Sequence, residues 1–212
     1  MSDYYPICLD LKDKKCVVVG GGEIALRKVK SLVEAQAKVV VISPEIISSF
    51  KELLKKNKIT YLKQEYKSKH IKNDTFLVIV ATDDKQLNAK IANDAGKLNL
   101  LINVVDAPSL GNFILPATFH RGKLIISVST SGQSPALAKK IKEDLLNIYG
   151  VEYEILVDLL GNLRTKVHAK YKNKEDRKVF WEKLVNSDLI EYIRNNKEEE
   201  IKRYLSKWIF IN

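Results

Sequence analysis

Two short stretches hold residue types that could do chemistry. The first is Gly20-Gly21-Gly22-Glu23-Ile24-Ala25, a G-x-G-x-x-A spacing between the apolar run KCVVVG and a segment of helical periodicity. Gly20 would permit a tight turn, Gly22 would let the backbone approach a pyrophosphate, and Ala25 would keep helix and strand close. A helix opening at Glu23 and Ile24 offers unpaired N–H groups and its positive dipole end to phosphates. The second stretch is LLINVVD, an apolar run of the kind buried on both sheet faces, ending on Asp106. A carboxylate at the carboxyl edge of a parallel sheet stands where ligands bind, and it can accept a proton or stabilise developing positive charge. The apolar strand beneath would partly desolvate it. The plainer alternative is a turn aspartate that hydrogen-bonds its own backbone before Pro108.

Other candidates surround these two. Ile42-Ser43-Pro44-Glu45 ends the second apolar run, and Glu45 lies 20 residues after Ala25, near where an acid binds ribose hydroxyls. No arginine stands nearby to hold a 2′-phosphate, so Pro44 and Glu45 favour NAD over NADP. Thr82, in ATDD, could line the same cleft, while Asp83 and Asp84 could equally cap the next helix. The Ser129-Thr130-Ser131-Gly132 loop offers hydroxyl and backbone donors to a carboxylate, or is a polar loop before a helix. Arg121, Lys123, Lys139 and Lys140 are candidate cations for an anionic ligand, and His120 could face the cleft. His70 sits among lysines and reads as solvated, His168 lies on a late helix, and the three histidines have no metal-ligand spacing. No metal site is expected. Cys8 and Cys16 form neither a CxxC pair nor a metal clip and read as small buried side chains.

The elements needed to position these residues follow from periodicity. Apolar runs at 15–20, 38–42, 59–62, 76–81 and 100–105 read as strands, separated by helical segments at 23–36, 46–56 and 85–97. Continuous apolar strands alternating with helices imply a parallel sheet covered on both faces. Two further strands are expected at 112–117 and 123–129, joined by a His120-Arg121-Gly122 turn. Ser134-Pro135 starts a helix, and everything from Val151 reads helical, including 176–185 and 187–195. The expected fold class is α/β, a Rossmann-like parallel sheet domain over 1–113. A small α+β segment (114–150) and a helical C-terminal domain (151–212) follow it.

The 212 residues carry 36 basic and 26 acidic side chains, a net charge of +10. Residues 151–212 hold 13 basic and 11 acidic, so most of the excess lies earlier. It is diffuse, without arginine tracts or basic-aromatic interleaving, which argues against nucleic acid and suits a polycarboxylate partner. Residues 1–13 lack the pattern of a signal peptide and no apolar run is long enough to span a bilayer, so a cytoplasmic protein without membrane partners is expected.

The run VVVGGGEIALRKVKSLVEAQAKVVVISPE, then ATDD, NVVDAP, FILPA and SVSTSGQSPALAKKIKEDL, resembles precorrin-2 dehydrogenase, the NAD-dependent module of sirohaem synthases. These motifs cover residues 3–148; the helical RKVFWEKL resembles the family's C-terminal part more loosely. The resemblance implies oxidation of precorrin-2 to sirohydrochlorin with reduction of NAD, and a catalytic role for Asp106. It also implies a homodimer whose middle segment exchanges elements between subunits. Some members additionally insert ferrous iron. Read from residue type and position, Ser129, Thr130, Ser131, His120 and Arg121 are the candidates to hold the carboxylates of such a substrate. Two rival readings are a dinucleotide-sensing regulatory domain, which would not need residues 106–150, and another Rossmann oxidoreductase acting on a small substrate.

Overall fold

The sheet strands are β1 (Lys15–Val19), β2 (Lys38–Ser43), β3 (Ile59–Lys63), β4 (Thr75–Val80) and β5 (Leu101–Val104). In the computed structural model, which describes residues 4–209, they form one parallel sheet ordered β3-β2-β1-β4-β5. That order explains why CVVV, after Lys15, is continuously apolar. Cys16 and Val18 turn toward one layer, where Ala25, Leu26 and Val29 of helix α1 (Glu23–Glu34) and Phe50 pack on them. Val17 and Val19 turn to the opposite layer, against Ile91 and Ala95 of helix α3 (Lys85–Lys97). β4 repeats the arrangement, Leu77 and Ile79 on one face and Val78 and Val80 on the other. Each such valine or isoleucine withdrawn from water stabilises the fold by roughly 1.5–3 kcal/mol. The expected helix at 46–56 contracts to a 3₁₀ turn (Ser48–Phe50) and a short α2 (Lys51–Lys55).

Edge strand β5 ends its sheet on a side chain. Asn112 donates its backbone N–H to Ile102 O at 2.9 Å, accepts the Ile102 N–H on Oδ1 at 2.9 Å, and donates Nδ2 to Leu100 O at 2.8 Å. The amide thus replaces the peptide group of a neighbouring strand and occupies groups that would otherwise template another chain. This is also why no strand starts at 112 as expected. Strand β6 runs from Ala117 to Arg121, after Pro116, and β7 from Leu124 to Val128. His120 and Arg121 lie in β6 itself, and the tight turn falls on Gly122, at φ +54°.

The chain divides into two compact units, Met1–Leu115 and Pro116–Asn212. In the second, β6 and β7 form an antiparallel hairpin against helix α4 (Pro135–Ile148), whose N-cap is Ser134. Helices α5 (Glu152–Lys170), α6 (Lys174–Val185), α7 (Leu189–Arg194) and α8 (Glu198–Ile209) follow. Leu156, Leu163, Val167, Phe180, Leu184, Leu189 and Ile193 make their core. Arg194 ties α7 to the start of α5 through Glu152 Oε1 at 2.8 Å. Among the described residues, no helix is long and apolar enough to cross a membrane. Cys16 is buried, which pushes its thiol up to about 11, whereas Cys8 is exposed, contrary to expectation, because residues 4–10 form no regular element.

Candidate functional site

Above β1, where the strand order reverses between β2 and β4, a cleft of about 960 Å³ opens at the carboxyl edge of the sheet. The glycine loop forms its floor. Gly20 has φ +129°, and a Cβ there would strike the Ala81 carbonyl. A Cβ on Gly21 would strike the carbonyl of Glu45. Gly22 differs: its φ is −88°, and no protein atom beyond its chain neighbours lies within 4 Å of where a Cβ would stand. The protein requires the first two glycines for its own packing, and it leaves the third facing open space in the cleft. Gly22 is also the N-cap of α1 and supplies no side-chain cap, so the first-turn N–H groups behind it have no side-chain acceptor.

Gly20, Gly22, Glu23, Ile24, Pro44, Glu45 and Thr82 all line this cleft. Ala25 lies just behind, fully buried where helix meets sheet. The loop carrying Glu45 is fastened by Ser43, whose hydroxyl donates to Glu45 O at 2.5 Å, and by Ile47, whose N–H reaches Gly21 O at 3.0 Å. Of the two aspartates in ATDD, Asp84 is the helix cap, accepting from the N–H groups of Gln86 and Leu87. Asp83 lines the cleft.

Sequence reasoning missed three groups in the lining: Glu65 and Tyr66, which follow β3, and Lys90 of α3. Nothing in their local spacing marks them; only sheet order brings the β3 end beside the β2 end. Tyr66 donates to Asp94 Oδ2 at 3.0 Å, and burial together with that bond pushes its phenol above the usual range. His70 departs from its solvated reading. Its Nδ1 accepts the Lys67 N–H at 3.0 Å, and its Nε2 is buried without a hydrogen-bond partner among the described residues. Burial, then the Lys69 and Lys67 charges, hold its pKa below the usual 6.5.

Asp106 stands one strand further along the carboxyl edge, in the turn after β5. The expected desolvation is absent: Asp106 is exposed, since the turn lifts it clear of the apolar strand. Among the described residues its carboxylate has no hydrogen bond or ion pair, so it is not held by its own backbone as a turn-forming aspartate would be.

The second unit holds the remaining candidates. Ser129 Oγ accepts the Ser131 N–H at 3.1 Å, and Thr130 Oγ1 accepts the Ser134 N–H at 3.0 Å. Each hydroxyl acts there as acceptor and keeps its own hydrogen to donate. Ser131 sits at φ +53° within this loop, and His120 is exposed on β6. The four cations read as free for an anion are engaged. Arg121 Nε donates to Tyr149 O at 3.0 Å and Nη2 reaches Leu146 O at 3.5 Å, so the guanidinium caps the carboxyl end of α4. Lys123 pairs with Asp158, Lys139 with Glu143 and Lys140 with Asp144. Among the described residues no group of three His, Cys, Asp or Glu side chains is arranged to hold a metal.

Comparison with known proteins agrees with this geometry. Residues 7–117, more than half of the chain, match the family model described as "Putative NAD(P)-binding". Residues 121–147 match "Sirohaem biosynthesis protein central", and 152–208 match "Sirohaem synthase dimerisation region". The chain is similar to the sirohaem synthase of Ruthia magnifica subsp. Calyptogena magnifica, 36% identical over 94% of this chain and 42% of that protein. It is also similar to that of Nitrosomonas europaea, 34% identical over 97% of this chain and 43% of that protein. The chain therefore spans about two fifths of the length of the curated relatives it matches. Among solved structures, SirC, a precorrin-2 dehydrogenase, superposes with a TM-score of 0.75 at 28% identity, over 95% of this chain and 100% of that one. With its nucleotide-binding, central and dimerisation regions matched in order, the chain belongs to the sirohaem synthase family.

Proposed function

We propose that the chain is an NAD-dependent precorrin-2 dehydrogenase that produces sirohydrochlorin and works as a homodimer. The observation that carries the cofactor is Gly22, a glycine the protein's own packing does not require, facing the cleft at an uncapped helix N-terminus. There Gly20, Gly22 and the N–H groups of Glu23, Ile24 and Ala25 would receive the pyrophosphate. Pro44 and Glu45 would border the adenosine ribose, and Glu45 together with Glu65 gives that rim a negative charge that disfavours a 2′-phosphate. Bound NAD+ would supply the hydride acceptor.

The chain's own part in the chemistry is to orient the macrocycle and take its protons. Asp106, exposed and unpaired at the same sheet edge, is suited to accept a proton while the macrocycle loses hydride. The hydroxyls of Ser129 and Thr130, with Ser131 and His120, would bind substrate carboxylates. Arg121 drops out of that set because α4 already uses its guanidinium. Anaerobic turnover of precorrin-2, followed by absorbance with NAD+ or NADP+, tests the reading. Turnover with NAD+ and much slower turnover with NADP+ is expected. The absence of turnover with either dinucleotide, or a preference for NADP+, would refute it.

A further inference from the structure

Asn88, on α3, is only 4% exposed, and both ends of its amide are bound to one residue. Its Nδ2 donates to the Thr82 carbonyl at 2.9 Å, and its Oδ1 lies 2.6 Å from Thr82 Oγ1. A carbonyl oxygen can only accept, so the amide nitrogen must face it and Oδ1 must face the hydroxyl. An amide oxygen also only accepts, so Thr82 gives its single hydroxyl hydrogen to Asn88. What remains on Thr82 Oγ1, a half-buried residue in the cleft lining, is lone pairs.

The neighbouring side chains of this loop have the same polarity. The Ala81 N–H is used by Val19 O, Asp84 accepts from the N–H groups of α3, and the exposed Asp83 carboxylate borders the cleft. At the Thr82 and Asp83 side chains the cleft therefore meets acceptors, and at the glycine loop it meets backbone donors. Ionised phosphates carry only acceptors, so they fit the glycine loop and are repelled by Thr82. The hydrogen-bond donors nearest the phosphates in a dinucleotide are its ribose hydroxyls.

We propose that Asn88 is a positioning residue that makes Thr82 an obligate hydrogen-bond acceptor and so selects a ribose hydroxyl of the dinucleotide at that point of the cleft. This rests on the dinucleotide reading above. NAD+ titrated calorimetrically into the full chain and its Thr82→Val, Thr82→Ser, Asn88→Leu and double Thr82→Val/Asn88→Leu variants provides the test. Thr82→Val should weaken binding about threefold to tenfold, the scale of one neutral hydrogen bond, while Thr82→Ser keeps the parent affinity. In the Asn88→Leu background Thr82→Val should add no further loss, because the hydroxyl has already lost its orientation. Parent-like NAD+ affinity in Thr82→Val, or full additivity in the double variant, overturns the assignment. Should Asn88→Leu fail to fold, Asn88→Ala takes its place in the same cycle. A parent chain that binds neither NAD+ nor NADP+ removes the dinucleotide reading, and this inference with it.

Discussion

At the scale of single residues, the glycine loop separates two demands that its sequence merges. A β-branched residue at Gly20 or Gly21 would clash with backbone carbonyls and damage the fold, whereas a Cβ at Gly22 meets no protein atom beyond its chain neighbours and φ there is ordinary. Gly22→Val should therefore lower the unfolding temperature of the apo chain only slightly, through a poorer N-cap, while weakening NAD+ binding by about tenfold or more, since its side chain would occupy the pyrophosphate's place. Calorimetry beside a thermal melt checks both halves. Asp106 permits a similarly clean experiment because nothing in the described structure depends on its charge. Asp106→Asn should fold and bind NAD+ as the parent does, yet lose about a hundredfold in precorrin-2 turnover, within the range of general-base catalysis. Parent-like turnover in that variant would leave Asp106 as a turn residue.

Elements carry their own consequences, and the edge of β5 is the sharpest. Asn112→Ala removes both side-chain bonds to that strand and leaves the Ile102 N–H and Leu100 carbonyl without protein partners. A loss of about 1–2 kcal/mol is expected, read from the urea midpoint, with greater aggregation as the freed edge becomes a template. The turn before β4 gives a pH dependence. His70 has a folded pKa held below its unfolded value, so the unfolded chain takes up the proton more readily. Stability from this site is thus complete above about pH 6.5 and falls as the pH drops through that value. Protonation would also put a hydrogen on Nδ1, where the Lys67 N–H now binds. His70→Gln should flatten the slope of the urea midpoint between about pH 7 and pH 5; an unchanged slope would assign it to other groups.

For the whole molecule, the second unit leaves apolar surface uncovered. Ile125 on β7, Leu137, Ile141 and Ile148 on α4, Val151, and Ile155 on α5 are all 36% exposed or more. A two-stranded hairpin is marginal alone, and these side chains fall on the hairpin, α4 and the start of α5, where a partner would bury apolar area. The residues that follow match a dimerisation region, which supports a second copy as the partner. Light scattering at micromolar concentration should give a dimer mass for the parent and a monomer mass for Ile125→Glu/Ile148→Glu. A monomeric parent would exclude a dimer through this surface.

Much of the architecture was legible because it depends on local pattern. Apolar runs punctuated by Gly20, Ser43-Pro44 and ATDD specify strands that end at one edge, and alternation with helices specifies a parallel sheet, since crossovers permit little else. The spacing of Gly20, Gly22 and Ala25 marks the loop for the same reason: it is local backbone chemistry. What the sequence could not settle depends on long-range pairing. Glu65, Tyr66 and Lys90 enter the cleft lining through strand order, and Arg121 is turned to α4 carbonyls from residues 25 and 28 positions away. The partial burial of His70 and exposure of Asp106 follow from how turns leave the sheet, which residue types do not encode. The Asn88–Thr82 pair shows the limit most directly. Both residues are visible in the sequence, but the direction of their hydrogen bond is decided by a backbone carbonyl that only the folded loop presents.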